Sequence, residues 1–207
     1  MAADRPKHFS MLREFHLADF LTLGNAACGT AGVFLAMLYM GSGASAHFYA
    51  AAVMAPAAFI FDVLDGRVAR ARHQHSALGR ELDSLSDVIS FGVAPAVLGY
   101  ACGLQGGYDR VILGFFVACG VSRLARYNVT AESMSDESGK VKHFEGTPIP
   151  TSFALVLLLT VAAANGAIGE GVWGGAWTLG GYTLHPLTLL FAASGSLMIS
   201  RIPIPKL

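Results

Sequence analysis

Asp62, Asp65, Asp83 and Asp87 crowd into one stretch, FDVLDGRVARARHQHSALGRELDSLSD from Phe61 to Asp87, of a chain that is otherwise mostly apolar. Asp62, Asp65, Gly66 and Ala69 follow the spacing i, i+3, i+4 and i+7, which puts them on one helical face, while Gly79, Asp83 and Asp87 step by four along another. A short turn joins the two faces, so four carboxylates converge. Unpaired, they would repel one another, and a pair of divalent cations removes that conflict. Carboxylate oxygens are hard ligands that select Mg²⁺, Mn²⁺ or Ca²⁺ over zinc, and two such ions about 3.5–4 Å apart can clamp a phosphoryl group during in-line displacement. The small residues share this logic. Gly66, Ala69 and Gly79 leave the helix faces bare where a phosphate ester or nucleotide must approach, and Arg70 can complement phosphate charge that the metals leave over.

The elements that must hold this cluster are membrane helices. The chain has 207 residues, 54% of them hydrophobic and 14% charged, against about 25% charged in an ordinary soluble domain. Its mean hydropathy is +0.53. The predicted fold is all-α and polytopic, with six transmembrane helices at about Phe20–Met40, His47–Leu64, Leu85–Cys102, Val111–Leu124, Ile149–Ile168 and Leu184–Ser200. Residues 1–19 form an N-terminal cytoplasmic or interfacial segment, where Met11, Leu12, Phe15 and Leu17 suggest a short amphipathic helix, and residues 20–207 form the membrane domain. A carboxylate costs about 2.5–3.5 kcal/mol at a bilayer centre, so the cluster belongs at a membrane surface.

Positive charge says which surface. Of the 14 Lys and Arg residues only Arg110 falls on the far side of this map, which places both termini, the aspartates and the two basic connections in the cytoplasm of a cell bounded by that membrane. The connection from about Asn128 to Glu145, with TAESMSDESGKVK, reads as a mobile cytoplasmic loop, and Asn165 to Tyr182, with Trp173, Trp177 and Tyr182, as an outer loop with interfacial aromatics. Net charge is zero, so nucleic acid is not an indicated partner. Cys28, Cys102 and Cys119 have neither metal-site nor disulfide spacing and read as small core residues. The polar N-terminus lacks the apolar run of a secretory signal, so the first membrane helix is expected to be retained.

The pattern Asp62-x2-Asp65-Gly66-x2-Ala69-Arg70-x8-Gly79-x3-Asp83-x3-Asp87 resembles, without gap or substitution, the signature of the CDP-alcohol phosphatidyltransferase family. The words LDSLSDVISFGVAPA, SRLARYN, FEGTPIP and MISRIPIP are most similar to its serine-using branch, and the resemblance runs from about the first span to the C-terminus. It implies a six-helix membrane enzyme, usually a homodimer, that moves a phosphatidyl group from CDP-diacylglycerol to an alcohol, here L-serine, and releases CMP. It further implies that Asp62, Asp65, Asp83 and Asp87 ligate the metals, that Asp87 is also the general base, and that Gly66, Ala69, Arg70 and Gly79 hold the CDP moiety.

The acceptor pocket is less marked. Arg123 or Arg126, at i and i+3, could offer a guanidinium fork to the serine carboxylate or a lipid phosphate, although the positive-inside rule alone places arginines there. Ser84 and Ser90 either line the site or bond to the preceding helical turn, and Pro148 and Pro150 start a helix, with Gly146 or Thr147 as further contacts. His73 and His75 read as loop residues, and His16, His47, His143 and His185 are scattered. The alternatives are the same chemistry on glycerol 3-phosphate, inositol phosphate or an archaeal-type lipid, and, outside the enzymes, a divalent-cation transporter. A transporter would want acidic residues at the membrane midplane along a path, and spans one, four, five and six supply none.

Overall fold

The computed structural model describes residues 15–72, 76–134 and 143–205. Helices dominate: α1 Leu17–Ser42, α2 Ser45–Ala71, α3 Ala77–Asp87, α4 Ala94–Cys102, α5 Gly107–Met134, α6 Phe153–Ala164 and α7 Leu189–Ile199. Two small antiparallel pairs complete the chain. Strand β1 His143–Glu145 pairs with β4 Pro203–Pro205, and β2 Trp177–Leu179 with β3 Tyr182–Leu184. The proposed amphipathic helix around Met11 and Leu12, together with His73 and His75, lies outside the described residues.

Three segments are long and apolar enough to cross a membrane: Leu17–Ser42, Ser45–Ala71 and the continuous run Ala77–Cys102. Ile149–Ala164 and Pro186–Ile199 are apolar but shorter. Of the six expected spans, these five appear as apolar helices of unequal length. The fourth lies within α5, whose Asp109 and Arg110 at one end and Arg123 and Arg126 at the other dilute its apolar run.

Helix α1 shows how the helices meet. It buries Ala18, Asp19, Thr22, Asn25, Gly29, Gly32 and Ala36, a stripe of small and polar side chains, and exposes Leu17, Phe20, Phe34, Met37 and Leu38. Small and polar inside with large and apolar outside is the pattern of a helix in lipid, where close backbone approach replaces burial of bulky side chains. α1 lies along α2 and also touches α3 and α4. The apolar core runs from Ala36 of α1 and Phe48 of α2 to Phe91, Phe116, Phe191, Ile149, Leu159 and Met198, with Phe116 and Phe191 edge to face at 5.3 Å.

Several expectations about the connections are corrected. The third helical segment begins at Ala77, a full two turns before Leu85, and is one rod from Ala77 to Cys102. Its middle, Val88–Val93, widens into a π-helix in which the Ala94 N–H bonds to the Ile89 carbonyl. Pro95 follows at once, and its missing N–H and bulky ring disfavour the ordinary register there. α5 continues through Asn128 to Met134, so the start of the supposed loop is helix. The Gly-rich segment expected as an outer loop folds part of its length into the β2–β3 hairpin, which alternation of side chains had not suggested.

Candidate active site

The carboxylates are delivered by two helix ends. α2 brings Asp62 and Asp65 on its last turns and α3 brings Asp83 and Asp87, with Ser76 capping α3 through its hydroxyl on the Gly79 N–H at 2.8 Å. Asp62, Asp83 and Asp87 each offer an oxygen, and those oxygens lie within 4.8 Å of one another. Asp62 and Asp83 are half-buried and Asp87 is buried. Asp65 stands beside the trio and is also buried, with one oxygen taken by the Thr22 hydroxyl at 2.7 Å.

A cation fits this donor set. Three carboxylates converge where they can be neutralised together, all ligands are hard oxygens, and Asp83 Oδ1 is buried without a hydrogen-bond partner among the described residues. Asp62, Asp83 and Asp87 would hold the ion, with Asp65 adjacent.

A cleft of about 530 Å³ opens on Asp65 and Asp83. Gly66, Ala69, Arg70 and Gly79 all line it, as do Asp19, Thr22, Arg80 and Tyr127. The bareness of the glycines is visible in the geometry. A Cβ on Gly79 would stand 2.9 Å from Asp19 Oδ1, and one on Gly66 would meet the Arg70 guanidinium at 3.5 Å. Asp19 is held by the His16 N–H, which donates to its Oδ2 at 2.7 Å.

Of the basic and proline-containing words, Tyr127 lines the cleft. Arg123 is half-buried and near enough to couple electrostatically to Asp87, whereas Arg126, one turn on, is exposed. Asn128 ties α5 to α3, its Nδ2 donating to Ser84 Oγ at 3.0 Å. Ser90 does not bond to its own preceding turn: its hydroxyl crosses to the Asn25 carbonyl of α1 at 2.9 Å. Pro148 precedes a 3₁₀ turn, Ile149–Ser152, that leads into α6. Gly146 has φ 73°, and a Cβ there would stand 3.0 Å from the Leu197 carbonyl, so the segment after β1 is clamped against the end of α7.

Sequence reasoning missed Asp19, Thr22 and Asn25, all on one face of α1. The signal was present: polar side chains at i, i+3 and i+6 in an apolar helix are costly unless partnered, and here their partners are the site itself.

Comparison with known proteins agrees with this geometry. A family profile described as CDP-alcohol phosphatidyltransferase matches residues 15–193. A CDP-diacylglycerol–serine O-phosphatidyltransferase of Saccharomyces cerevisiae is 41% identical over 203 residues, which is 96% of this chain and 74% of the relative. An archaetidylserine synthase of Methanothermobacter thermautotrophicus is 38% identical over 139 residues, 66% of this chain and 54% of the relative. A CDP-diacylglycerol–serine O-phosphatidyltransferase of Helicobacter pylori is 38% identical over 131 residues, 61% of this chain and 52% of the relative, so the chain spans only about half of these last two. With its aspartate pattern intact and a profile covering nearly all its helices, the chain belongs to the CDP-alcohol phosphatidyltransferase family.

Proposed function

We propose that this protein transfers the phosphatidyl group of CDP-diacylglycerol to the hydroxyl of L-serine, forming phosphatidylserine and CMP. The observation that carries the reading is the trio Asp62, Asp83 and Asp87, joined through Asp83 to a cleft lined by Asp65, Gly66, Ala69, Arg70 and Gly79. The names of relatives aligned over most of the chain point to serine.

When bound, two divalent cations, Mg²⁺ or Mn²⁺, would supply charge neutralisation at the diphosphate and at the departing CMP. The residues of the chain do the rest. Gly66, Ala69 and Gly79 admit the nucleotide to the helix backbone, and Arg70 sets a guanidinium beside its phosphates. Asp87 takes the proton of the serine hydroxyl as that oxygen bonds to the phosphorus carrying diacylglycerol and the bond to the CMP oxygen breaks. Arg123, half-buried and within electrostatic reach of Asp87, receives the serine carboxylate in preference to the exposed Arg126.

The proposal includes a multi-pass inner-membrane protein with six spans, cytoplasmic termini and site, and a homodimeric state. It disfavours a transporter. Asp87 and the next buried acid, Asp109, are separated by the rod that ends at Cys102, about 22 Å at 1.5 Å per residue, with no acidic side chain along it. Purified full-length protein given CDP-diacylglycerol and a panel of alcohols, with CMP release followed with and without chelator, tests the reading. Serine-dependent, chelator-sensitive CMP release is expected. Release with glycerol 3-phosphate and not serine would change the acceptor, and turnover in excess chelator would remove the cations.

A further inference from the structure

Asn25 is fully buried on the polar stripe of α1, one turn beyond Thr22. Its Nδ2 donates to Asp87 Oδ1 at 3.1 Å. The amide can face Asp87 in only one way, since turning it over would set its oxygen against a carboxylate oxygen. The backbone of Asn25 is tied to the same place. Its carbonyl accepts the Ser90 hydroxyl, and Ser90 lies three residues past Asp87 on the π-helical turn. One turn further along α1, a Cβ on Gly29 would stand 2.7 Å from Ser90 Cα, so the two helices touch backbone to backbone. Asp87 is thereby gripped at its carboxylate and just beyond it by a single residue of another helix.

Stability alone would not choose this arrangement. With Nδ2 committed to Asp87, Asn25 Oδ1 is left buried and without a partner among the described residues. A buried acceptor without a hydrogen bond is destabilising, and this offsets part of what the bond to Asp87 contributes. Orientation of the partner is what the asparagine adds.

We propose that Asn25 is a positioning residue for Asp87: it fixes the plane of that carboxylate, and with it the direction in which the second oxygen meets the acceptor hydroxyl. The inference rests on the phosphatidyl-transfer reading above. In that reaction an outer partner of this kind contributes about 10–100-fold in activity or metal affinity.

The experiment compares purified full-length wild type with Asn25→Leu and Asn25→Asp. Expected are a kcat about 10–100-fold lower in both, little change in KM for CDP-diacylglycerol, and, in Asn25→Leu, weaker Mn²⁺ binding by electron paramagnetic resonance without substrate. The unfolding temperature of Asn25→Leu without cation should fall by only a few degrees, because the variant loses the unpaired Oδ1 together with the donor to Asp87. A kcat at the wild-type level overturns the inference, and so does a loss of kcat that disappears when the variant is assayed well below its unfolding temperature, which is what a merely structural asparagine would give. If Asn25→Leu does not fold, Asn25→Ser is measured by the same criteria. The acceptor is decided separately, by wild type on the alcohol panel, and the variants are assayed with whichever alcohol wild type uses; the Mn²⁺ comparison needs none.

Discussion

Replacing Asp83 by Asn should make the protein more stable without cations and less stable with them. Asp83 lies within 4.8 Å, oxygen to oxygen, of both Asp62 and Asp87. Between unit charges at that separation the repulsion is about 3.5 kcal/mol per pair at an effective dielectric of 20, and about 0.9 kcal/mol per pair with full water screening. Two pairs vanish in the variant, and because Asp87 is buried the fully screened figure is a lower bound, so at least about 2 kcal/mol is expected. Asn matches Asp in shape, so packing does not confuse the comparison. For a chain of this size, about 2 kcal/mol corresponds to a rise of roughly 4–8 °C. Cation at about a hundred times its Kd would stabilise wild type by about 2.7 kcal/mol, and the variant, missing a ligand, would gain far less. Thermal unfolding of detergent-purified protein, in chelator and then in excess Mn²⁺, should show the order of the two proteins invert. If wild type is the more stable in chelator, the carboxylates are not in repulsion; if Mn²⁺ raises both equally, they are not the ligands.

Three further outcomes are expected. Arg123→Lys should raise the KM for serine about tenfold, the effect of losing one bidentate contact worth about 1.4 kcal/mol, while Arg126→Lys changes it less; equal effects would unseat Arg123. Asp109→Asn should destabilise the fold by about 1–3 kcal/mol with little change in kcat, because the buried carboxylate accepts from Gly106 N, His185 N, His185 Nδ1 and Thr188 Oγ1. Burial acts to raise the Asp109 pKa, but those hydrogen bonds outweigh it and hold it below the usual value, so the contribution is complete above about pH 4, is lost as pH falls below that, and the gap between wild type and variant narrows there in acid unfolding. Single cysteines at Glu81 and Arg201 should be labelled from the cytoplasmic side of vesicles and one at Gly175 from the other; Glu81 and Gly175 reacting from one side would overturn the proposed topology.

The aspartate pattern was legible because a helix turns spacing into direction: residues three or four apart share a face, so Asp62 with Asp65, and Asp83 with Asp87, could be placed before any coordinates were known. What it could not give was the split within the quartet. Thr22 takes an oxygen of Asp65, and that partner comes from a helix some forty residues away in sequence. Hydropathy found the rods but misplaced their ends. The amphipathic turns of α3 before Leu85 and the polar end of α5 remain helical although neither is apolar, since local hydrogen bonding continues where hydrophobicity stops. The π-helical turn likewise follows from Pro95, but a proline in a helix permits several local solutions, and the choice here depends on what Ser90 finds across the interface.

The role of α1 was the least visible, and for a physical reason. Its apolar composition marks it as a membrane span, and many of its large side chains, Phe20, Phe34, Met37 and Leu38 among them, are exposed. Its inner stripe contributes little to that apolarity, yet Thr22 meets Asp65, Asn25 meets Asp87, and Gly29 lets the π-helical turn close onto the helix. In water a helix docks through its bulky apolar face and the polar face is free to vary. In lipid the relation is reversed: the bulky face touches only acyl chains, so the polar and small residues carry the specific contacts. α1 therefore buttresses carboxylates from two other helices at once, and the proposed active site on α2 and α3 rests against a helix that holds none of the signature residues.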